Sequence, residues 1–478
     1  METTNQYIWS GWEKFFFRVF FIFFFLLIVP FKETFYTQWF TQTWSEMHIR
    51  DIPRFSGAGL SFVKVVSSHQ EVNDNREKHK VSVESEESNV ITGEDAPFNI
   101  VSYINYFILL GIGILGSLIW GSIDRKRKNY RVLLYFASTA VSIALAIRLQ
   151  GLTFSKVFPT QMPDLALTQL NTPFGDFTAQ KLYWVQFSFV HGYEIFAGLA
   201  ELLIMLFLFF RQTRALGAAL SVAMIGNITY ANHAYDGGIH LAAFFFTIGG
   251  LYVLWPYFTR IFKLIAKEEN PQENLYYYPF SKPWEKAIRY GIKTFLFLFF
   301  FVYSGYLHWQ NYKYDSYKVP SNAGLTGARG VYEVEDFIVN GDTIAYDPTD
   351  SIRWRDVTLE EWSTLSYTVN NTFLIHGEAG RGKQYEDVNR TYESAGTGGG
   401  RRHFFYEIDS LNNKLNFYSK NKIYKEDNFS LVYSRPNAET IILEGEIKSA
   451  HLKIRLVRRD KEYALFHNRY SDNFVFKP

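Results

Sequence analysis

Long apolar runs occupy much of residues 15–309, and beyond them the chain switches to short segments in which apolar and polar side chains alternate. A helix needs roughly 20 predominantly apolar residues to cross the hydrocarbon core of a bilayer. Seven windows of that kind occur, at 13–31, 99–122, 131–149, 184–210, 214–231, 239–259 and 287–308. The first, "FFFRVFFIFFFLLIVPF", lacks a small-residue cleavage site and carries Arg18 inside its apolar run, so it is predicted to remain as a helix rather than leave as a signal peptide. From residue 310 the period is two: "VYEVEDFIVNG", "STLSYTV", "HFFYEID", "TIILEGEI" and "HLKIRLVRRD" are separated by turn formers such as "NGD", "SLNN" and "RPNAE". About eight or nine antiparallel strands of this kind suit a small closed barrel.

The predicted fold is therefore a membrane all-α helical bundle of about seven spans followed by a C-terminal antiparallel, lipocalin-like β-barrel. Four parts result: a first transmembrane helix (1–31), an external loop (32–98), the transmembrane helical bundle (99–309) and an extracytoplasmic β-barrel domain (310–478) expected to fold on its own core. In the loop, "FYTQWFTQTW" suits a membrane interface, whereas "NDNREKHKVSVESEESN" has a disordered composition and is assigned no structure. The insertion "GEAGRGKQYEDVNRTYESAGTGGGRR" contains no GxxxxGK[ST] and reads as a mobile hairpin tip. "RWR" and "RLVRRD" read as cross-strand charge pairs.

Short cytoplasmic connections are enriched in Lys and Arg. "DRKRKNYR", "RQTR", "TRIFKLIAK" and "EKAIRYGIK" all fall on one side of a seven-span chain. The N-terminus is thus expected in the cytoplasm, with the loops at 32–98 and 150–183 and the C-terminal domain outside. A formal net charge of +2 argues against nucleic acid as a partner and leaves the lipid bilayer as the main one. The chain has no cysteine, which excludes disulfides, thiolate metal sites, Fe–S frameworks and Cys nucleophiles.

The candidate chemistry lies within the apolar half. "HGYEIFAGLAE" sets His191, Glu194 and Glu201 on one helical face around Gly198, and "NITYANHAYDGGIH" adds Asn232, His233, Asp236 and His240 at the same predicted end of the bundle. An ionisable residue within a span costs roughly 2.5–3.5 kcal/mol on insertion scales, so these groups need partners, water or a ligand. Three arrangements satisfy them: carboxylates paired with Arg148 or a histidine to lock helices, an outward-opening ligand pocket, or a metal site. The soluble part holds His451 and His467 but no recognisable catalytic triad, paired carboxylates or metal spacing.

At "SLIWGSIDRKRKNYR", "KVFPTQMP", "GYEIFAGLAELLIMLFLFFRQTRALGA" and "NITYANHAYDGGIHL" the chain resembles the DoxX-like family of bacterial integral membrane proteins, in particular its long members with a terminal β-domain. It differs from them at His240, where those members tend to carry lysine, and at Gly237 and Gly238. The resemblance implies a four-helix DoxX-like core at about 131–260 in a bacterial inner (cytoplasmic) membrane, with a periplasmic C-terminal domain. Two functions are carried forward. One is a redox-associated membrane component binding a small quinone-like ligand at His191, Glu194, Glu201, Asn232, His233, Asp236 and His240. The other is a non-enzymatic scaffold whose β-domain docks an envelope or membrane protein partner.

Overall fold

The computed structural model describes residues 8–57, 59–67, 90–93, 100–270, 276–314, 320–376 and 387–466. It contains two compact units, one made of helices and one built around the C-terminal strands.

In the first unit six helices are long and apolar enough to cross a membrane: Gly11–Thr41, Ile104–Ile123, Arg131–Val157, His191–Phe209, His240–Ala266 and Pro283–Tyr314. The chain is accordingly a membrane protein. We label the spans α1 (Gly11–Ile28), α2 (Ile104–Ile123), α3 (Arg131–Val157), α4 (His191–Phe209), α6 (His240–Ala266) and α7 (Pro283–Tyr314), with α5 for 214–234 between them. The seventh expected span, 214–231, is also helical but less apolar, so among the described residues six of the seven meet that measure. It forms three consecutive pieces, Arg214–Leu220, Ser221–Ile225 in π geometry, and Gly226–Ala234, and its Asn227, Thr229 and Asn232 dilute its hydropathy.

Small residues set how closely the helices approach. A Cβ on Gly113 of α2 would stand 2.8 Å from the Val19 carbonyl oxygen of α1, and Ser117 Oγ donates to the Phe15 carbonyl at 3.0 Å. The helices α3 to α6 close a four-membered ring in the same way. Gly198 of α4 abuts the backbone of Lys156 and Val157, Gly217 of α5 abuts Phe207 and Leu208, Gly250 of α6 meets Ala218 and Val222, and Gly249 of α6 meets Leu145 of α3. Arg148 donates to the carbonyls of Leu27 and Ile28 at 3.3 Å, capping the C-terminal end of α1 rather than pairing with a glutamate. The aromatic half of the long loop is folded: Glu33–Thr41 is helical, and Trp39 packs on Phe55 and Phe299. Most of the half expected to be disordered lies outside the described residues, but Val90–Gly93 pairs in parallel with Lys64–Ser67.

The second unit is a closed up-and-down barrel of eight strands: β1 (Gly330–Val339), β2 (Asp356–Leu359), β3 (Thr364–Thr368), β4 (Arg401–Asp409), β5 (Lys414–Ser419), β6 (Phe429–Asn437), β7 (Thr440–Ile447) and β8 (Ala450–Arg459). Each pairs antiparallel with the next, and β8 returns to β1 from Leu452↔Val339 to Arg459↔Val331. A two-residue ninth segment, Asp342–Thr343, extends the edge of β1. The interior is filled by side chains such as Tyr332, Phe337, Trp354, Tyr406 and Phe417, so the barrel resembles a lipocalin in topology but is a packed core. On β1, β7 and β8 the outward positions carry charge, with Arg455–Glu335 at 3.4 Å, Arg459–Glu333 at 3.3 Å and Lys453–Glu444 at 3.1 Å. "RLVRRD" therefore forms the expected cross-strand pairs. "RWR" does not: Arg353 is buried and donates to the carbonyls of Val334 and Ile344 at 2.7 and 2.9 Å.

Segment Thr160–Tyr193, the connection between α3 and α4, belongs to this second unit. The insertion joins it there. Residues 390–398 are buried rather than exposed at a tip, Phe177 bridges Thr397, and the Thr178 and Gly398 amides donate to the carbonyls of Gly396 and Asp176 at 2.9 and 2.7 Å. The glycines serve this close packing: a Cβ on Gly400, at φ +75°, would lie 1.8 Å from the Val369 carbonyl oxygen. Residues 377–386 of the insertion lie outside the described residues.

Candidate functional site

Of the seven polar residues singled out in the apolar half, His233 and His240 come together, whereas Glu201, His191 and Asn232 take separate partners. Glu201, on α4, receives both hydrogen bonds of a buried ion pair from Lys156 Nζ at 2.9 Å. The order of the helices explains it: α3 ends beside Gly198, which brings the Lys156 amine level with the next turn of α4. Glu194 is buried on the same helix. His191, the first residue of α4 and part of the second unit, is buried with its Nε2 2.6 Å from Asp164 Oδ1.

Asn232 is a structural cap for the α5–α6 turn. Its Nδ2 donates to the Ile228 carbonyl at 2.8 Å, its Oδ1 accepts from the Ile239 amide at 3.3 Å, and its carbonyl accepts from Gly237. A Cβ on Gly237 would fall 2.3 Å from that Oδ1, which accounts for glycine at this position. Asp236 is exposed in the same turn with φ +52°, a left-handed conformation that Asp tolerates better than most residues. His233 and His240 are brought together: their ring centroids lie 4.6 Å apart, His233 Nε2 is hydrogen-bonded to the Tyr103 hydroxyl, and His240 Nε2 lies 3.0 Å from Ser102 Oγ. Phe244 closes this group edge-on to Tyr103 at 4.9 Å. Both imidazoles are only half-buried. Among the described residues no group of three or more His, Asp or Glu is placed to hold a metal ion.

A second constellation, in the barrel unit, was not singled out from the sequence. Strands β2 to β4 are buried on both faces, one toward the barrel core and the other beneath Thr160–Tyr193 and 390–400. The covered face aligns Thr358, Ser366 and His403 across three strands. Thr168 Oγ1 meets Ser366 Oγ at 2.7 Å and His403 Nε2 at 3.3 Å. The Glu360 carboxylate accepts from the amides of Leu167 and Thr168 at 3.0 and 2.8 Å, fixing the first turn of the short helix Leu167–Leu170. Lys181 Nζ donates to the Tyr392 carbonyl and sits 4.1 Å from the centre of that ring, while the Tyr392 hydroxyl bonds Ser188. Glu393 lies between Arg390 at 3.0 Å and Lys420 at 3.9 Å.

Burial dominates the electrostatics of this network. It pushes the Lys181 amine down to about 7 against the pull of Glu393, and Lys420 down to about 8. It pushes Glu360 up to about 7 although two backbone amides favour the carboxylate. Burial also holds His403 well below the ordinary histidine value, with Arg401 adding to the effect. For Glu393 burial acts upward, but Arg390, Lys420 and Lys181 together outweigh it and the carboxyl lies below its usual range. Three groups thus change charge near neutrality in a buried interface. A readable signal existed: the outward positions Thr358, Thr364, Ser366 and Thr368 carry no Lys or Glu, unlike the exposed faces of β1 and β8.

No family model matches the chain, and no solved structure matches it. Among curated proteins it is similar to the "Uncharacterized protein YwoB" of Bacillus subtilis (strain 168), at 33% identity over 72 residues, which are 15% of this chain and 47% of that relative. The chain thus spans about half the length of the curated relative it matches.

Proposed function

We propose that the protein is a component of a bacterial inner membrane that binds a small quinone-like ligand at the turn between α5 and α6, and that α5 crosses as a seventh, more polar helix, which puts the N-terminus in the cytoplasm and the barrel in the periplasm. The observation that carries this reading is the group of His233, His240 and Tyr103, two half-buried imidazoles 4.6 Å apart with a phenol hydrogen-bonded to one of them. A ring bearing two carbonyls or two hydroxyls needs donors and acceptors beside an aromatic wall, and neutral imidazole supplies one of each. Glu201, His191 and Asn232 have structural partners, so they position the helices and the turn while the histidine pair meets the ligand. The likeness to DoxX-like proteins supports the same architecture, since α3 to α6 form a four-helix ring. Mass spectrometry of small molecules extracted from the purified protein is the direct test, with a quinone expected to copurify. His233→Leu/His240→Leu should lose it while the protein keeps its helical content, and unchanged quinone retention in that variant would defeat the reading.

A second reading has its own observation. The barrel interior is filled, so the β-domain has its outer surface left for recognition. A scaffold docking an envelope protein is supported by that feature, and a stoichiometric protein partner in place of a copurifying quinone would favour it.

A further inference from the structure

At the end of the helical unit opposite the α5–α6 turn, the start of α3, the end of α4, the start of α5 and the start of α7 enclose a cavity of about 450 Å³. This is within the range of small-molecule sites, roughly 300–1,000 Å³. Its walls have two chemistries. Phe136, Ile143, Phe209, Ile288, Ile292 and Leu296 make an apolar channel, and Arg211, Arg214, Arg289 and Lys293 bring four cations to it against the single carboxylate of Glu285.

These cations are held by rings. Arg211 stacks 3.7 Å from the centre of Tyr277, Arg289 lies 4.7 Å from that of Phe280, and Lys293 lies 4.6 Å from that of Phe210. Arg214 is the decisive residue: it is 4% exposed, it lines the cavity, and its Nε has no hydrogen-bond partner among the described residues. A buried guanidinium donor left without an acceptor is costly, so a site that retains one is built for an acceptor from elsewhere. Guanidinium geometry favours the paired oxygens of a phosphate.

We propose that this cavity binds an anionic phospholipid of the bilayer, its phosphate held by Arg214, Arg211, Arg289 and Lys293 and one acyl chain lying along Phe136, Ile143 and Ile292. Apart from Phe209 of α4, the apolar wall belongs to spans α3 and α7, so a chain can enter laterally from the hydrocarbon core. The exposed Trp284, Ile288 and Ile292 flank that opening. A soluble phosphate would use the cations and leave the apolar wall empty, and a neutral lipid would leave the cations unmatched. The site does not depend on the histidine pair and stands or falls apart from it.

The test is lipid analysis and native mass spectrometry of the full-length protein purified in mild detergent, followed by exchange into nanodiscs of phosphatidylglycerol mixed with phosphatidylcholine. About one phosphatidylglycerol per chain should remain bound through detergent washing. Retention should fall at least tenfold in Arg214→Gln/Arg289→Gln and in Ile143→Trp, which fills the channel without changing charge. Lys286→Gln, an exposed cation outside the cavity, should leave retention unchanged. Should Arg214→Gln/Arg289→Gln fail to fold, Ile143→Trp alone decides. Equal retention of the two lipids, loss equal to that of Lys286→Gln, or displacement of the lipid by millimolar inorganic phosphate without help from an acyl chain would each overturn the proposal.

Discussion

Lys181→Met tests the buried network through its dependence on pH. The lysine is buried, its ammonium donates to the Tyr392 carbonyl, and burial lowers its value from 10.5 to about 7, while Lys420 falls from 10.5 to about 8. A depressed amine means that the unfolded chain binds more protons than the folded one. Stability is then fully present above the unfolded value and is lost as pH falls through the folded value. Between pH of about 8.5 and 9.5 the folded unit holds neither proton and the unfolded chain holds both. With about 1.4 kcal/mol per pH unit for each proton, stability should rise by roughly 3 kcal/mol per pH unit. Lys181→Met keeps the stem and removes one titrating amine, so about half of that slope should vanish. Glu360 titrates below this window, and Tyr367, Tyr392 and Tyr406, all raised by burial, oppose the lysines increasingly above about pH 9, so the slope is steepest in the lower half of the window.

The assay is thermal unfolding of the detergent-solubilised full-length protein followed at the infrared strand band, which the barrel dominates because the other unit contributes only one short strand pair among its described residues. Indistinguishable slopes for wild type and Lys181→Met would refute the argument, as would a melting temperature that falls between pH 8.5 and 9.5.

Glu360→Gln should remove an opposing contribution: the raised carboxyl makes stability fall as pH rises from about 4.5 to 7, whereas His403, held well below the ordinary histidine value, makes it rise, so the same melts should show the variant gaining stability with pH more steeply than wild type. One of the two amides it accepts from also loses its partner, at a cost of about 1–3 kcal/mol. In the helical unit, Lys156→Met and Glu201→Leu should each destabilise by about 3–5 kcal/mol, because one buried charge is stranded, whereas the double variant should recover most of the loss; a double-mutant cycle on the helical melting transition reads this directly. Gly198→Leu should destabilise that unit by about 1–3 kcal/mol or more, since even a Cβ there would stand 2.5 Å from the Val157 amide nitrogen; the same helical melt reports it, and an unchanged midpoint would contradict the close approach. Residues 310–478 expressed alone should unfold without a cooperative transition, and a fusion supplying 160–193 should restore one, as calorimetry of the two proteins would reveal.

The elements with one buried face were legible because their periodicity is simple. Uninterrupted apolar windows located the six spans, and strict alternation located β1, β7 and β8, where Leu452, Ile454 and Leu456 point inward and Lys453 and Arg455 point to water. Legibility failed where a third layer covers a second face. In β3, "TLSYT", all five residues are buried, yet its alternation is that of an ordinary half-exposed strand. The lack of Lys and Glu at Thr364, Ser366 and Thr368 signals a covered face, but nothing local says that the cover is a segment nearly two hundred residues earlier in the chain. The insertion was misjudged for a related reason: its glycines read as freedom to turn, but at Gly400 the missing side chain makes room for the Val369 carbonyl. The histidine pair was half legible. Spacing put His233 and His240 on either side of one turn, but their convergence on Tyr103 and Ser102 needed the long loop before α2 to return beside them.

Buried charge is handled differently in the two units, and the difference bears on function. In the helical unit Lys156 meets Glu201 as a simple ion pair, and Arg148 is spent on the carbonyls that end α1; such local satisfaction fixes helix positions and leaves little to respond to solution conditions. In the barrel unit Lys181, Lys420, Glu360, Arg390 and Glu393 share one buried interface, so the charge on any one depends on the others. An apolar interface would hold Thr160–Tyr193 against the strands at least as firmly, because desolvating ions offsets much of their attraction. What the charged interface adds is a binding strength that changes with proton concentration near neutrality, in the segment that joins α3 to α4. The barrel unit therefore carries these responsive groups, while the ion pair and the carbonyl cap of the helical unit are fixed.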